Sequence, residues 1–255
     1  MKPLNWDELS RLGNLQAVID PHDSKGAKNY LIDRIQWNSF RKHLNHSKNV
    51  LDFGCGIGRY AQRIAALGIA YTGIDSSVGM INKAKELHGS DGFVFKHFDG
   101  INIPFDSSSF DTVILSEVLT YFLKTPTANQ TLSEINRVLS AQGRLILIEQ
   151  ASISGRKSES ASEILTENDY VQALSAYFKV NQLYKVRSPD FSKLTCKILE
   201  SPKVPLPLFR LISGQIAKHE SALVAKADDN YFQKTSYYEF MIDAQPVKPN
   251  GTKQL

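Results

Sequence analysis

The sequence predicts an α/β fold built on a doubly wound, mostly parallel sheet of seven strands, and three observations predict it. Short apolar runs alternate with stretches of helical period from about residue 29 to residue 150. The run Phe110–Leu115 is nearly all apolar, as a strand covered on both faces should be. A glycine-rich turn, Gly54-Cys55-Gly56-Ile57-Gly58, joins the first short run to a helical stretch, and open α/β sheets bind ligands at junctions of that kind.

Each element follows from local pattern. Tyr30–Leu44 places Leu31, Ile35, Phe40 and Leu44 near one helical face. Asn49–Phe53 is a first strand running into the glycines, and Arg59–Leu67 a helix capped at its C-terminus by Gly68. Ala70–Ile74 is a second strand; Ser77–Leu87 is the next helix, with Ser76 or Ser77 as its N-cap. Phe93–Phe98, Phe110–Leu115 and Arg144–Glu149 are further strands, with a helix over Thr127–Leu139 before the last of them. Right-handed crossovers then line up the loops after the strands along one edge.

The remainder differs in kind. Ser152–Ser162 reads as a loop, Thr166–Tyr177 as a helix, and Phe178–Val186 and Tyr237–Asp243 as the final two strands. About 50 residues separate those two strands, far more than a hairpin needs, so residues 187–236 are an insertion, partly helical. The expected organisation is an N-terminal segment over 1–28 that can act as a lid, a cofactor-binding core over 29–150, and an acceptor-side region over 151–255.

Composition excludes several classes. The 255 residues are 42% hydrophobic and 22% charged, ordinary for a globular protein, and the formal net charge of +4 is too weak to argue for nucleic acid. Cys55 and Cys196 form no CxxC pair or Cys/His cluster, so neither a disulfide framework nor a metal site is indicated. The N-terminal residues lack the apolar stretch of a signal peptide, and the expected location is a reducing cytoplasm.

The glycine turn carries the chemistry. Its glycines permit positive φ and close backbone approach, and the following helix points free N–H groups at the same place. A dinucleotide site would have its third glycine one residue later, where Arg59 stands. Asp52, ahead of the turn, would repel a pyrophosphate and attract a cationic amino group. The residues therefore favour a cationic ligand over a dinucleotide.

Over roughly residues 44–150 the chain resembles the class I S-adenosylmethionine-dependent methyltransferases, in particular the group with an LPF-like segment after the third strand. The motifs that carry it are Asp52–Gly58, Tyr71–Ser77, Phe98–Phe105 followed by Phe110-Asp111, and Leu115–Leu119. Arg137–Arg144 resembles the family's turn into strand five, with Ala141-Gln142 departing from its usual Pro-Gly. The resemblance implies the Rossmann-like methyltransferase fold and S-adenosyl-L-methionine as cofactor. It implies that Gly54, Gly56 and Gly58 hold the cofactor, with Cys55 a small filler among them. Asp75, with Ser76 beside it, would take the ribose hydroxyls. Asp99 and the Gly100 amide would take the adenine, whose pocket Met80 and Ile101 line, and the backbone at Ser116 the methionine part.

Catalytic candidates are sparser, because displacement at a sulfonium needs a base only when the acceptor must lose a proton. Tyr121 stands where many relatives carry a histidine; it orients or deprotonates an acceptor, or simply packs. Glu149 at the end of strand five and Glu117 after strand four are candidate acceptor-binding or base residues, while His97 reads as structural. Tyr30, after the Gly26 hinge, is expected near the methionine carboxylate. Residues 185–226 carry eight Lys/Arg against three Asp/Glu. Within them, 203–226 could touch a membrane or a lipid-linked acceptor, or be a lid or dimer element with a solvated basic face. The expected function is methyl transfer to a small molecule or glycan-type precursor, at oxygen, with no nucleic-acid partner. The alternatives are a non-catalytic adenosyl-ligand-binding protein and a dinucleotide-dependent oxidoreductase.

Overall fold

The computed structural model describes residues 5–12, 14–89, 92–153, 165–189, 205–235 and 237–248. Within them the strands are β1 (Asn49–Phe53), β2 (Ala70–Asp75), β3 (Val94–His97), β4 (Phe110–Ser116), β5 (Leu139–Ala151), β6 (Phe178–Arg187) and β7 (Tyr238–Pro246). They form one seven-stranded sheet in the order β3-β2-β1-β4-β5-β7-β6. Strands β1 to β5 pair in parallel, and β7 runs antiparallel between β5 and β6. This is the doubly wound sheet that the pattern predicts.

The helices, in chain order, are α1 (Trp6–Leu9), α2 (Ala27–Phe40), α3 (Ala61–Ala65), α4 (Val78–His88), α5 (Leu119–Phe122), α6 (Ala128–Val138), α7 (Glu167–Leu174), α8 (Leu206–Lys226) and α9 (Asp229–Lys234). The period of 2 along each strand sends alternate side chains into two cores. Leu51, Phe53, Val113, Leu115, Leu145 and Leu147 pack with α6 and α7 on one face. Val50, Ile114, Ile146 and Ile148 pack with Leu31, Ile35 and Phe40 of α2 on the other.

Local chemistry sets the ends. Ser77 caps α4 by accepting from the Met80 amide at 3.1 Å. Thr166 and Asp169 form a reciprocal capping box on α7. The helix expected over Tyr30–Leu44 starts earlier, at Ala27, and tightens into a 3-10 turn at Arg41–Leu44. His97, read from the sequence as structural, is exposed at the end of the edge strand β3. Most of the loop expected at Ser152–Ser162 lies outside the described residues, as does 190–204 of the insertion. The described part of that insertion holds α8, which packs along α2 and buries Ala217 against it. No helix among the described residues is long and apolar enough to cross a membrane.

One segment escapes the sequence pattern. Residues 6–12 and 15–17 form α1 and two 3-10 turns, and Trp6, Leu9, Ala17 and Val18 pack on Ile57 of the glycine turn and Met80 of α4. Asp7 ties this segment down: its Oδ1 accepts from the Ser77 hydroxyl at 2.6 Å and from the Gly79 amide at 2.7 Å.

Candidate active site

Because β1, β2, β3 and β4 run in parallel, their C-terminal ends share one edge of the sheet, and a cavity of about 390 Å³ opens there. That volume falls in the range of small-molecule sites. The glycine turn floors it. Gly54 and Gly56 have φ of +71° and +54°, and a Cβ on either would lie 2.6 Å from a side-chain carbon, Val118 Cγ2 or Val18 Cγ1. Only glycine serves both demands. Gly58 also has positive φ, but it does not line the cavity; a Cβ there would meet the Phe95 ring at 2.7 Å. Its place is in the backing of the turn rather than in the expected ligand contact.

Asp75 ends β2 on the cavity wall. Its Oδ2 accepts from the Gly56 amide at 2.9 Å and its Oδ1 from the Ser77 amide at 2.8 Å. Each carboxylate oxygen has a second lone pair, so both can still accept from a vicinal diol. Burial raises its pKa, against the pull of those two amides. Asp99 stands opposite, after β3, fastened by the Ile101 and Asn102 amides at 2.8 and 2.7 Å. The Asn102 side chain and these amides keep its pKa low. Ser76, Met80, Phe98, Gly100 and Ile101 complete this end of the cavity.

Asp52 lies beneath the turn, 2% exposed, accepting from the Tyr71 hydroxyl at 2.7 Å. Burial raises its pKa to about 6, with Tyr71 and Arg59 opposing. Cys55 is buried, and burial together with Asp52 and Asp75 pushes its thiol well up, so it stays a neutral filler.

The other end of the cavity is lined by Arg59, Tyr60, Ser116 and Glu117. The Arg59 guanidinium sits 4.4 Å from the Tyr60 ring centroid and donates to Gln36 Oε1 and Ser116 Oγ, both at 2.8 Å. It is the cation that the dinucleotide pattern would have replaced with glycine. Glu117 is held in left-handed backbone at φ +58°. Its carboxylate accepts from Gln36 and Gln150 side-chain amides, both at 3.0 Å. Burial and the Glu239 carboxylate push its pKa up to about 7, against Arg187 and Arg59.

Two further expected contacts, Glu149 and Tyr30, fall elsewhere. Glu149 is 1% exposed and does not line the cavity. Its Oε1 accepts from the Val118 and Leu119 amides at 2.8 and 2.6 Å, so it holds the start of α5 instead of meeting an acceptor. Burial and Glu117 raise it to about 8. Tyr30, on α2, packs half-buried against the core, with the Arg34 guanidinium 5.7 Å from its ring, and also does not line the cavity. Tyr121 does line the cavity, yet burial, Glu117 and Glu149 push its hydroxyl up to about 12. It stays protonated at neutral pH, which suits orientation and not proton abstraction. Its ring meets Trp6 edge-on at 5.5 Å across the cavity mouth. The sequence reading missed Trp6 and Val18 as lining residues, and the signal was slight: an isolated tryptophan in a polar segment.

Comparison with known proteins points to a methyltransferase domain. Residues 51–147 match the family model described as "Methyltransferase domain". The demethylmenaquinone methyltransferase of Clavibacter sepedonicus is 33% identical over 103 residues, 40% of this chain and 41% of that one. The 2-phytyl-1,4-naphtoquinone methyltransferase of Nostoc punctiforme is 23% identical over 193 residues, 72% of this chain and 78% of that one. The matches at 33–35% identity span less than half the length of those curated relatives. The crystal structure of geranyl diphosphate C-methyltransferase from Streptomyces coelicolor A3(2) superposes with a TM-score of 0.60 at 17% identity, covering 97% of this chain and 100% of that one, and so shares the fold. Residues 51–147 thus carry a class I S-adenosylmethionine-dependent methyltransferase domain, set in the 3-2-1-4-5-7-6 sheet.

Proposed function

We propose that the protein transfers the methyl group of S-adenosylmethionine to a small-molecule acceptor, at a hydroxyl oxygen. The observation that carries this reading is one cavity with an acid at each of two successive strand ends, Asp75 and Asp99, and a guanidinium, Arg59, at its far end. These groups suit the three polar parts of that cofactor. Asp75, with two lone pairs free, would take the ribose hydroxyls. Asp99, Gly100 and the apolar Met80, Phe98 and Ile101 would take the adenine, and Arg59 the methionine carboxylate. Asp52, beneath the turn, adds negative charge for a cofactor that arrives cationic.

When bound, the cofactor supplies an electrophilic methyl group on a sulfonium. The protein's part is then alignment and exclusion of water. Trp6 and Tyr121 meet over the mouth of the cavity, and with Val18 they close it from the N-terminal side. We read residues 5–18 as a lid latched by Asp7, which must open for exchange. The acceptor would enter between Tyr121, Phe122 and Val118, an aromatic and apolar entrance that suits a ring or chain bearing one hydroxyl.

Calorimetry with S-adenosylmethionine and S-adenosylhomocysteine tests the cofactor. Binding of both in the micromolar range is expected, and absence of both would overturn the reading. A labelled-methyl screen over hydroxylated small molecules would then identify the acceptor.

A further inference from the structure

Glu117 combines three features found together at no other described residue. It lies on the cavity wall, it is one of two non-glycine residues with positive φ among the described residues, and its carboxylate is held by neutral amides. The other positive-φ residue, Ser108, is in an exposed turn. Left-handed backbone at a glutamate is unfavourable and persists where surroundings enforce it. Here the Glu117 amide donates to the Ile148 carbonyl at 2.7 Å, which pins the residue to β5.

The clamp is specific. Gln36 on α2 donates through Nε2 to Glu117 Oε1 at 3.0 Å and to Glu239 Oε2 at 3.2 Å, while its Oε1 accepts from Arg59. Gln150 on β5 donates to Glu117 Oε2. Arg187 is engaged by Glu239 Oε1. An arginine paired directly with Glu117 would lock it as an anion, whereas an amide positions a carboxylate and leaves both charge states open. Each oxygen keeps a lone pair beyond the amide contact.

We propose that Glu117 receives the proton that the acceptor hydroxyl loses during methyl transfer. The inference rests on the function proposed above. In the balanced step the acceptor oxygen forms a bond to the methyl carbon, the electron pair of the carbon–sulfur bond stays with sulfur, and the O–H proton passes to the Glu117 carboxylate. The total charge in the cavity is then the same before and after: a sulfonium beside a carboxylate becomes a thioether beside a carboxylic acid. In a buried site, where separated charge is costly, this neutralisation of an opposed pair favours the transfer.

The charged and titratable groups around Glu117 set the balance. Burial and Glu239 on β7 disfavour the anion, Arg187 on β6 and Arg59 after β1 favour it, and Glu149 on β5 and Tyr121 on α5 stay neutral at pH 7. Both forms are therefore within reach near pH 7.

The test needs no acceptor. Calorimetry of the full chain at pH 7, in buffers of different ionisation enthalpy, counts protons exchanged as S-adenosylmethionine or S-adenosylhomocysteine binds. The cationic ligand should release more protons than the neutral one, and the excess should fall toward zero at pH 9. Glu117→Gln should abolish the excess at pH 7 while S-adenosylhomocysteine still binds. Equal proton counts in the wild type at pH 7, an excess that persists at pH 9, or one that survives Glu117→Gln would each overturn the proposal. Failure of either ligand to bind at all would instead overturn the reading of the cavity itself.

Discussion

The two ends of the cavity are built in different ways. At the end formed by β2 and β3, backbone amides fasten the acids: Asp99 by those of Ile101 and Asn102, Asp75 by that of Ser77 and by that of Gly56, 19 residues away on the adjoining turn. At the other end, Glu117 meets Gln36 from 81 residues away, and Gln36 meets Glu239 from 203 residues away. The first end is a set of strand-end turns and the second a polar network threaded through the core. A local turn forms the same site whatever surrounds it, while a network exists only once the sheet is complete. The near end should therefore fail residue by residue and the far end as a unit.

Asp75→Ala should break the near end with the largest effect. It removes the carboxylate that would bind a diol and frees the Gly56 and Ser77 amides it now orders. We expect a loss of about 3 kcal/mol in S-adenosylmethionine binding, roughly a hundredfold by calorimetry, with little change in unfolding midpoint. A loss under threefold would show that ligand binds elsewhere.

The same contrast explains how much the sequence could reveal. β1 is read to the residue, and Asp75, Met80, Asp99, Gly100 and Ile101 all reach one cavity, because the glycine turn and each strand-end acid are marked by their own neighbouring residues. Glu149 and Tyr30 were misplaced for one reason. Position at a strand end or helix start says which edge a residue occupies, but not which way packing turns its side chain. Glu149 turned toward the orphan amides of α5, and Tyr30 against the apolar core. Gln36 and Glu239 gave no local signal, since each acquires its partner only through the tertiary fold.

Glu149 gives the next effect, on stability. Its folded pKa of about 8 lies above the ordinary 4.5, so the folded state keeps a proton that the unfolded chain has released. Stability from this group thus falls as pH rises from about 4.5 to 8 and stays reduced above that. Asp52, at about 6, adds in the same sense over a lower window. Glu149→Gln keeps an acceptor for the Val118 and Leu119 amides without a titrating charge. Urea unfolding should show the variant gaining on the order of 2 kcal/mol over the wild type between pH 5 and pH 9. Parallel pH profiles would show that Glu149 is ionised in the folded protein.

Trp6→Ala probes the cover rather than either wall. The edge contact with Tyr121 is of the kind that contributes about 1 kcal/mol. Faster cofactor release, by roughly fivefold in stopped-flow displacement, is the expected outcome. An unchanged release rate would mean that the N-terminal segment does not gate the cavity.

The smallest effect is expected at α8, and it separates charge from packing. Removing the whole insertion would be an unclean test. α8 packs along α2, and α2 carries the Asp33 and Gln36 that hold Arg59. Cofactor binding would then suffer through the far-end network even if the helix never touched a ligand. Lys218 and Lys226 are exposed on that helix, so Lys218→Glu with Lys226→Glu reverses charge and leaves the buried Ala217 and Val224 in place. Cofactor affinity should stay within about 0.5 kcal/mol of the wild type, as for surface changes generally. Co-sedimentation with vesicles containing anionic lipid then isolates the one role left to the charge. Binding that the double variant loses would assign the helix to a membrane surface, and no binding by the wild type would leave α8 as the support that keeps Gln36 in place.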